Sequence, residues 1–147
     1  MFELNKLVRS NILSLRPYSS ARDEFKGEAS IFLDANENPF GNLNRYPDPY
    51  QNELKSQLSS LKKISAENIF VGNGSDEVID LLFRIFCNPG KDKVLTFSPT
   101  YGMYEVSARI NDVEVLGVPL NSDFQLNVDE ILKVIESETN LKMIFIC

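Results

Sequence analysis

The chain has 147 residues, of which 43% are hydrophobic and ten are phenylalanine, enough for one modest domain with a real core and too apolar for a disordered segment. Fifteen basic against twenty-one acidic residues give a net charge of -6, which argues against a nucleic-acid partner, because that affinity rests on Lys and Arg neutralising phosphates. Histidine, the commonest general base and metal ligand, is absent, and Cys87 and Cys147 lie in or at the end of apolar runs without the spacing of a metal clip or a disulfide framework.

Residues 1–30 mix a short helical pattern (Phe2, Leu4, Leu7, Val8) with Arg, Ser and Pro and read as an arm. Charges run through the first 22 residues with no uninterrupted apolar stretch or small-residue cleavage site, so a signal peptide is not expected. No run reaches the roughly 18 consecutive apolar residues of a membrane-spanning helix, and a cytoplasmic address without a membrane partner follows as the simplest expectation. Ile31-Phe32-Leu33 is a brief apolar run, and 34–49 is dense in Asn, Pro and Gly, predicting a long ordered loop.

Leu54, Leu58 and Leu61 recur at three to four residues and predict an amphipathic helix ending near Lys62-Lys63, where cations suit a helix C-terminus. Ile69-Phe70-Val71 is a short strand candidate. Gly72-Asn73-Gly74-Ser75-Asp76-Glu77 follows, then helical periodicity from Val78 to Phe86, closed by Asn88-Pro89-Gly90. Val94–Phe97, Val113–Val118 and Met143–Ile146 read as strands, with helices over Tyr101–Ile110 and Asp129–Ser137 between them. That alternation predicts an α/β architecture with a mainly parallel sheet.

The glycine turn before Ser75 carries the strongest chemical signal. It lets backbone approach a ligand at a helix start, where free N–H groups favour an anion. A plain strand-to-helix turn with Ser75 or Asp76 as N-cap explains the same residues. The dinucleotide fingerprint fails because its third glycine is Glu77, and no Gly-Lys-Ser/Thr marks a P-loop. Tyr101, just after the second strand, sits where an aromatic ring stacks on a planar ligand or packs with Tyr104 against the helix start. Arg45-Tyr46-Pro47 and the run from Arg16 to Arg22 suit phosphate or ordinary solvated loops, and Asn36 and Glu37 suit turns.

Taken in order, Arg-Pro-Tyr-x-Ser-Ala-Arg at 16–22, Leu-Asp-Ala-Asn-Glu-Asn-Pro-Phe-Gly at 33–41, Asn-Arg-Tyr-Pro-Asp-Pro at 44–49, Val-Gly-Asn-Gly-Ser-Asp-Glu at 71–77, Phe-Cys-Asn-Pro-Gly at 86–90 and Pro-Thr-Tyr-Gly-Met-Tyr at 99–104 resemble the histidinol-phosphate aminotransferases. The resemblance implies fold type I of the pyridoxal-phosphate enzymes, a three-layer α/β/α large domain seen in part. Residues 1–45 would form an N-terminal arm and substrate-side loop, and 46–147 the first part of the cofactor-binding domain. It implies pyridoxal 5'-phosphate as cofactor, held at its phosphate by the turn Ser75, Asp76 and Glu77 and stacked by Tyr101. Tyr46 would reach the partner's cofactor phosphate in a homodimer, Tyr18 would help hold the substrate phosphate, and Asn36 would line the substrate side.

The implied reaction exchanges an amino group between histidinol phosphate and 2-oxoglutarate, giving imidazole-acetol phosphate and glutamate, in histidine biosynthesis. The same resemblance implies a later Asn-Pro-Thr-Gly loop, an aspartate for the pyridine nitrogen, the Schiff-base lysine and a carboxylate-binding arginine beyond Cys147. None of the nine lysines here takes the Schiff-base role, so no catalytic residue is assigned and these 147 residues alone are expected not to transaminate. Other fold type I enzymes, an aromatic-amino-acid aminotransferase or a threonine-phosphate decarboxylase, share much of this motif order. A non-catalytic phosphate-binding or dimerisation module is the alternative of another class.

Overall fold

The computed structural model describes residues 3–42 and 48–147. Its elements run α1 (Ser10–Leu13), α2 (Ala21–Glu24), α3 (Asn52–Lys62), α4 (Ser75–Phe86), β1 (Lys93–Ser98), α5 (Met103–Ile110), β2 (Glu114–Pro119), α6 (Val128–Ser137) and β3 (Leu141–Ile144), with 3-10 turns at Leu4–Lys6 and Ala66–Asn68. The chain divides into two compact units, Met1–Leu15 with Gly72–Cys147, and Arg16–Val71.

In the first unit the strands are parallel in the order β2-β1-β3, with β1 central. Residues of β1 alternate across the sheet, as strand geometry requires. Val94 packs with Ile79, Phe83 and Cys87 of α4 and its C-terminal cap, and with Ala108 of α5. Leu95 and Phe97 pack on the opposite face with Ile131 and Val134 of α6. Two helices on one face and one on the other make three layers, the predicted architecture. Burying each such side chain contributes about 1.5–3 kcal/mol, and Phe83, Val94 and Leu95 are wholly buried.

The third strand pairs two residues earlier than its apolar run predicts. Lys93 pairs with Leu141 but Val94 with Met143, so Lys142 is an extra residue on β3. This bulge turns Leu141 toward α6 while Met143 and Phe145 join the α4/α5 face. Backbone pairing with β1, not apolarity, sets where the strand lies. Lys93 ties its edge together, with Nζ 3.2 Å from Glu114 and 3.1 Å from Glu138. Those carboxylates, Glu138 foremost, hold its pKa above the ordinary lysine value.

A polar bridge also joins α4 to the end of α5. Asp80 accepts from Asn111 Nδ2 at 2.8 Å and from Arg84 Nε at 2.6 Å. The Asn111 bond, then the Arg84 bond, holds the Asp80 carboxyl below its ordinary value.

In the unit Arg16–Val71, Ser20 and Asp23 form a reciprocal capping box at the start of α2, each accepting from the other's amide. Asp48 accepts from the amides of Tyr50 (2.9 Å) and Asn52 (2.8 Å), anchoring the start of α3. That helix ends at Lys62 with Lys63 left-handed at φ 59°, close to the predicted stop. Ile31–Leu33 forms no strand, and Ile69–Val71 enters no ladder although Ile69 is extended (φ -110°, ψ 118°). Extended torsions alone do not make a strand without a partner to satisfy the backbone.

Candidate functional site

Helix α4 begins at Gly74, which adopts φ 82° and ψ 174°. Side chains rarely adopt this conformation, so a glycine is needed for the chain to turn into the helix. Gly74 is itself the N-cap, and no side chain caps the helix. The alternative of a plain turn with Ser75 or Asp76 as N-cap is therefore not what forms. Both lie inside the first turn, with Glu77. The first-turn amides stand at the positive end of the helix dipole, worth roughly half an elementary charge.

Both carboxylates of that turn have partners elsewhere. Asp76 Oδ1 accepts from the Tyr101 hydroxyl at 3.0 Å, and Glu77 accepts from the Asn73 amide. The Asp76 bond is the leading cause that raises the Tyr101 phenol above its ordinary pKa. Tyr101 thus remains a protonated donor at neutral pH.

Tyr101 follows β1 at the carboxyl end of the sheet and is 45% exposed. Its ring meets Tyr104 edge-on at 5.7 Å and 86°. Tyr104 stacks on Phe145 at 4.7 Å, and Phe145 lies 5.4 Å from the buried Phe83. This aromatic column fixes an exposed ring to the core, each pair contributing about 0.5–1.5 kcal/mol beyond simple burial. Hydrogen bonding to Cys147, and then burial, raises the Tyr104 phenol. Ligands of open α/β sheets gather at this carboxyl end.

Ser75, Asp76, Glu77 and Tyr101 are therefore brought together. Tyr18 and Asn36 are exposed residues of the other unit, and Tyr46 lies outside the described residues. Asn73 and Phe145 belong to the site's support and were not singled out by sequence. Asn73 is four residues from its acceptor Glu77, but Phe145 meets Tyr104 only through the fold.

A cavity of about 300 Å³ lies at the opposite, amino end of β1 and β2, lined by Lys91, Asp92, Arg109, Asp112 and Glu114 among others. Its charges are mixed, and Arg109 is paired with Glu105. Among the described residues no cluster of Cys, Asp and Glu could hold a metal ion, and no helix is long and apolar enough to cross a membrane.

The model of the family described as aminotransferase class I and II matches residues 20–147, and the chain belongs to that family. The histidinol-phosphate aminotransferase of Cytophaga hutchinsonii is 58% identical over 99% of this chain and 43% of its own length. That of Bacteroides fragilis is 58% identical over 100% of this chain and 43% of its own. The chain thus spans less than half the length of these curated relatives.

Among solved structures, the histidinol-phosphate aminotransferase from Sinorhizobium meliloti in complex with pyridoxal-5'-phosphate matches with a TM-score of 0.58 at 22% identity, covering 65% of this chain and 26% of that one. The corresponding enzyme from Clostridium acetobutylicum matches with a TM-score of 0.55 at 27% identity, over 65% of this chain and 27% of that one. These likenesses support the fold type I architecture.

Proposed function

We propose that the protein is a pyridoxal-phosphate-dependent histidinol-phosphate transaminase of histidine biosynthesis, acting in the cytoplasm as a homodimer. It would convert histidinol phosphate and 2-oxoglutarate into imidazole-acetol phosphate and glutamate. The observation that carries this reading is the start of α4, free of any side-chain cap, beside the exposed and braced ring of Tyr101, because free amides suit a phosphate and such a ring suits a flat heterocycle. Pyridoxal phosphate combines both features in one small molecule. The relatives at 58% identity favour histidinol phosphate as the amino donor.

In this reading the amides of Ser75, Asp76 and Glu77 hold the cofactor phosphate, and Tyr101 orients the ring and shields one face from water. When bound, the cofactor supplies the electron sink for bond cleavage at the substrate's amino carbon. Tyr46 reaches the cofactor phosphate of the other protomer, Tyr18 holds the substrate phosphate, and Asn36 lines the substrate side. Residues 1–45 serve as arm and substrate loop, and 46–147 belong to the cofactor domain.

The test is the visible absorbance of the whole gene product with pyridoxal phosphate, before and after histidinol phosphate. A bound-cofactor band that shifts with histidinol phosphate and returns with 2-oxoglutarate is the expected result. A band that responds only to an aromatic amino acid, or to threonine phosphate with loss of carbon dioxide, replaces the substrate and keeps the class. No bound-cofactor band overturns the reading.

A further inference from the structure

The start of α4 carries two carboxylates where the proposed function needs a phosphate. Asp76 and Glu77 sit in the first turn, and an acidic side chain there is drawn to the same free amides that a phosphate would use. A carboxylate left to fold over these amides would occupy them and repel an incoming dianion. In the structure neither does so: the Tyr101 hydroxyl holds Asp76 Oδ1 at 3.0 Å, and Glu77 is turned back to the Asn73 amide.

The Tyr101 end of this arrangement is braced against the core. Its ring is braced edge-on by Tyr104, which stacks on Phe145, which in turn contacts the fully buried Phe83. A hydroxyl on such a ring is a fixed point, whereas Asp76 turns about its own side-chain torsions. The bond therefore positions the carboxylate at least as much as it positions the phenol.

We propose that Tyr101 acts as a latch as well as a ring platform: its hydroxyl draws the Asp76 carboxylate away from the first-turn amides of α4 and keeps them open for a phosphate. Asp76 is then a positioning residue whose side chain acts through Tyr101, separate from any contact its amide makes. This rests on the reading of the site as a pyridoxal-phosphate site. It predicts an energetic coupling between two side chains that direct phosphate contact would not produce.

The test is a double-mutant cycle on the whole gene product with Tyr101→Phe and Asp76→Asn. Tyr101→Phe keeps the ring and removes the hydroxyl, and Asp76→Asn keeps the shape and removes the charge. The ligand is pyridoxamine 5'-phosphate, which has the ring and phosphate but no aldehyde to react with a lysine. Tyr101→Phe is expected to weaken its binding about tenfold, the equivalent of one charge-assisted hydrogen bond. Asp76→Asn should then improve affinity by about fivefold more in the Tyr101→Phe background than in wild type, a coupling within the range of residues in contact.

A second readout uses no ligand. In a difference titration against Tyr101→Phe, Asp76→Asn should move the ionisation of Tyr101 to lower pH, toward that of an ordinary tyrosine. An equal effect of Asp76→Asn in both backgrounds, or no change on Tyr101→Phe, overturns the latch while leaving the cofactor reading intact. A wild-type protein that shows the titration shift but binds neither pyridoxamine 5'-phosphate nor pyridoxal phosphate overturns the cofactor reading, and the latch's purpose falls with it.

Discussion

Cys87 shows how burial decides the chemistry of a single residue. It caps the end of α4 at 1% exposure, packed with Phe83 and Val94. Burial first, and the nearby Asp92 carboxylate second, push its thiol up to about 11 from an ordinary value of 9.0. The thiolate is the reactive form, so Cys87 should resist a thiol reagent at pH 8 and react once denaturant unfolds the chain. The raised value also sets a pH dependence. The unfolded chain releases this proton near pH 9.0 and the folded one near 11, so the contribution is intact below pH 9 and is lost as pH rises toward 11. Urea midpoints measured across that range should fall, and Cys87→Val should remove this component of the fall. Its apolar surroundings were legible in the sequence, where Cys87 ends a helical apolar run. The Asp92 contribution was not, because it depends on the turn that brings Asp92 back, with its carboxylate 2.7 Å from the Asn88 amide.

At the scale of elements, helix starts separate what local pattern encodes from what geometry adds. Periodicity of the apolar residues located α3, α4, α5 and α6, of which α4, α5 and α6 bury part of one side. It did not identify the N-cap of α4, because Ser75 and Asp76 are both good capping residues by type and only the backbone torsions single out Gly74. Gly102, the N-cap of α5, is a useful contrast at φ -63° and ψ -22°, ordinary helical values. A methyl group would meet nothing within 4 Å at either glycine, so sterics with neighbours do not distinguish them. Gly74→Ala should cost about 1–3 kcal/mol through backbone strain alone. Gly102→Ala should be neutral or stabilise by up to about 1 kcal/mol, through a less flexible unfolded chain. Chemical denaturation of the two variants checks the opposite signs. Equal effects would mean that the backbone at Gly74 relaxes freely, and with it the shape of the candidate phosphate site.

Across the molecule, the alternation of strands and helices was enough to foresee a parallel α/β sheet. The bulge at Lys142 and the pairing of Asp76 with Tyr101 were not foreseeable, because both join residues far apart in sequence. The Ile69–Val71 segment, which enters no ladder, shows the reverse limit: an apolar run with two β-branched residues is a strand only when another strand satisfies its backbone. The two compact units also differ in how much they bury. Val94, Leu95, Thr96 and Phe97 of β1 are all buried, whereas no described residue of 16–71 is. Leu54 and Leu61 of α3 remain 46% and 73% exposed, so that helix has little apolar burial to offset its ordering entropy. Local opening is governed by such differences, from nearly free where few apolar contacts exist to the global unfolding energy in core strands. In the 147-residue chain, hydrogen exchange should therefore protect the amides of β1 and the adjoining turns of α4 orders of magnitude more than those of α3, and limited proteolysis should cut within 16–71 first. Equal protection of α3 and β1 would show that the two units unfold as one, and that contacts made by the apolar face of α3 contribute far more than its exposure implies.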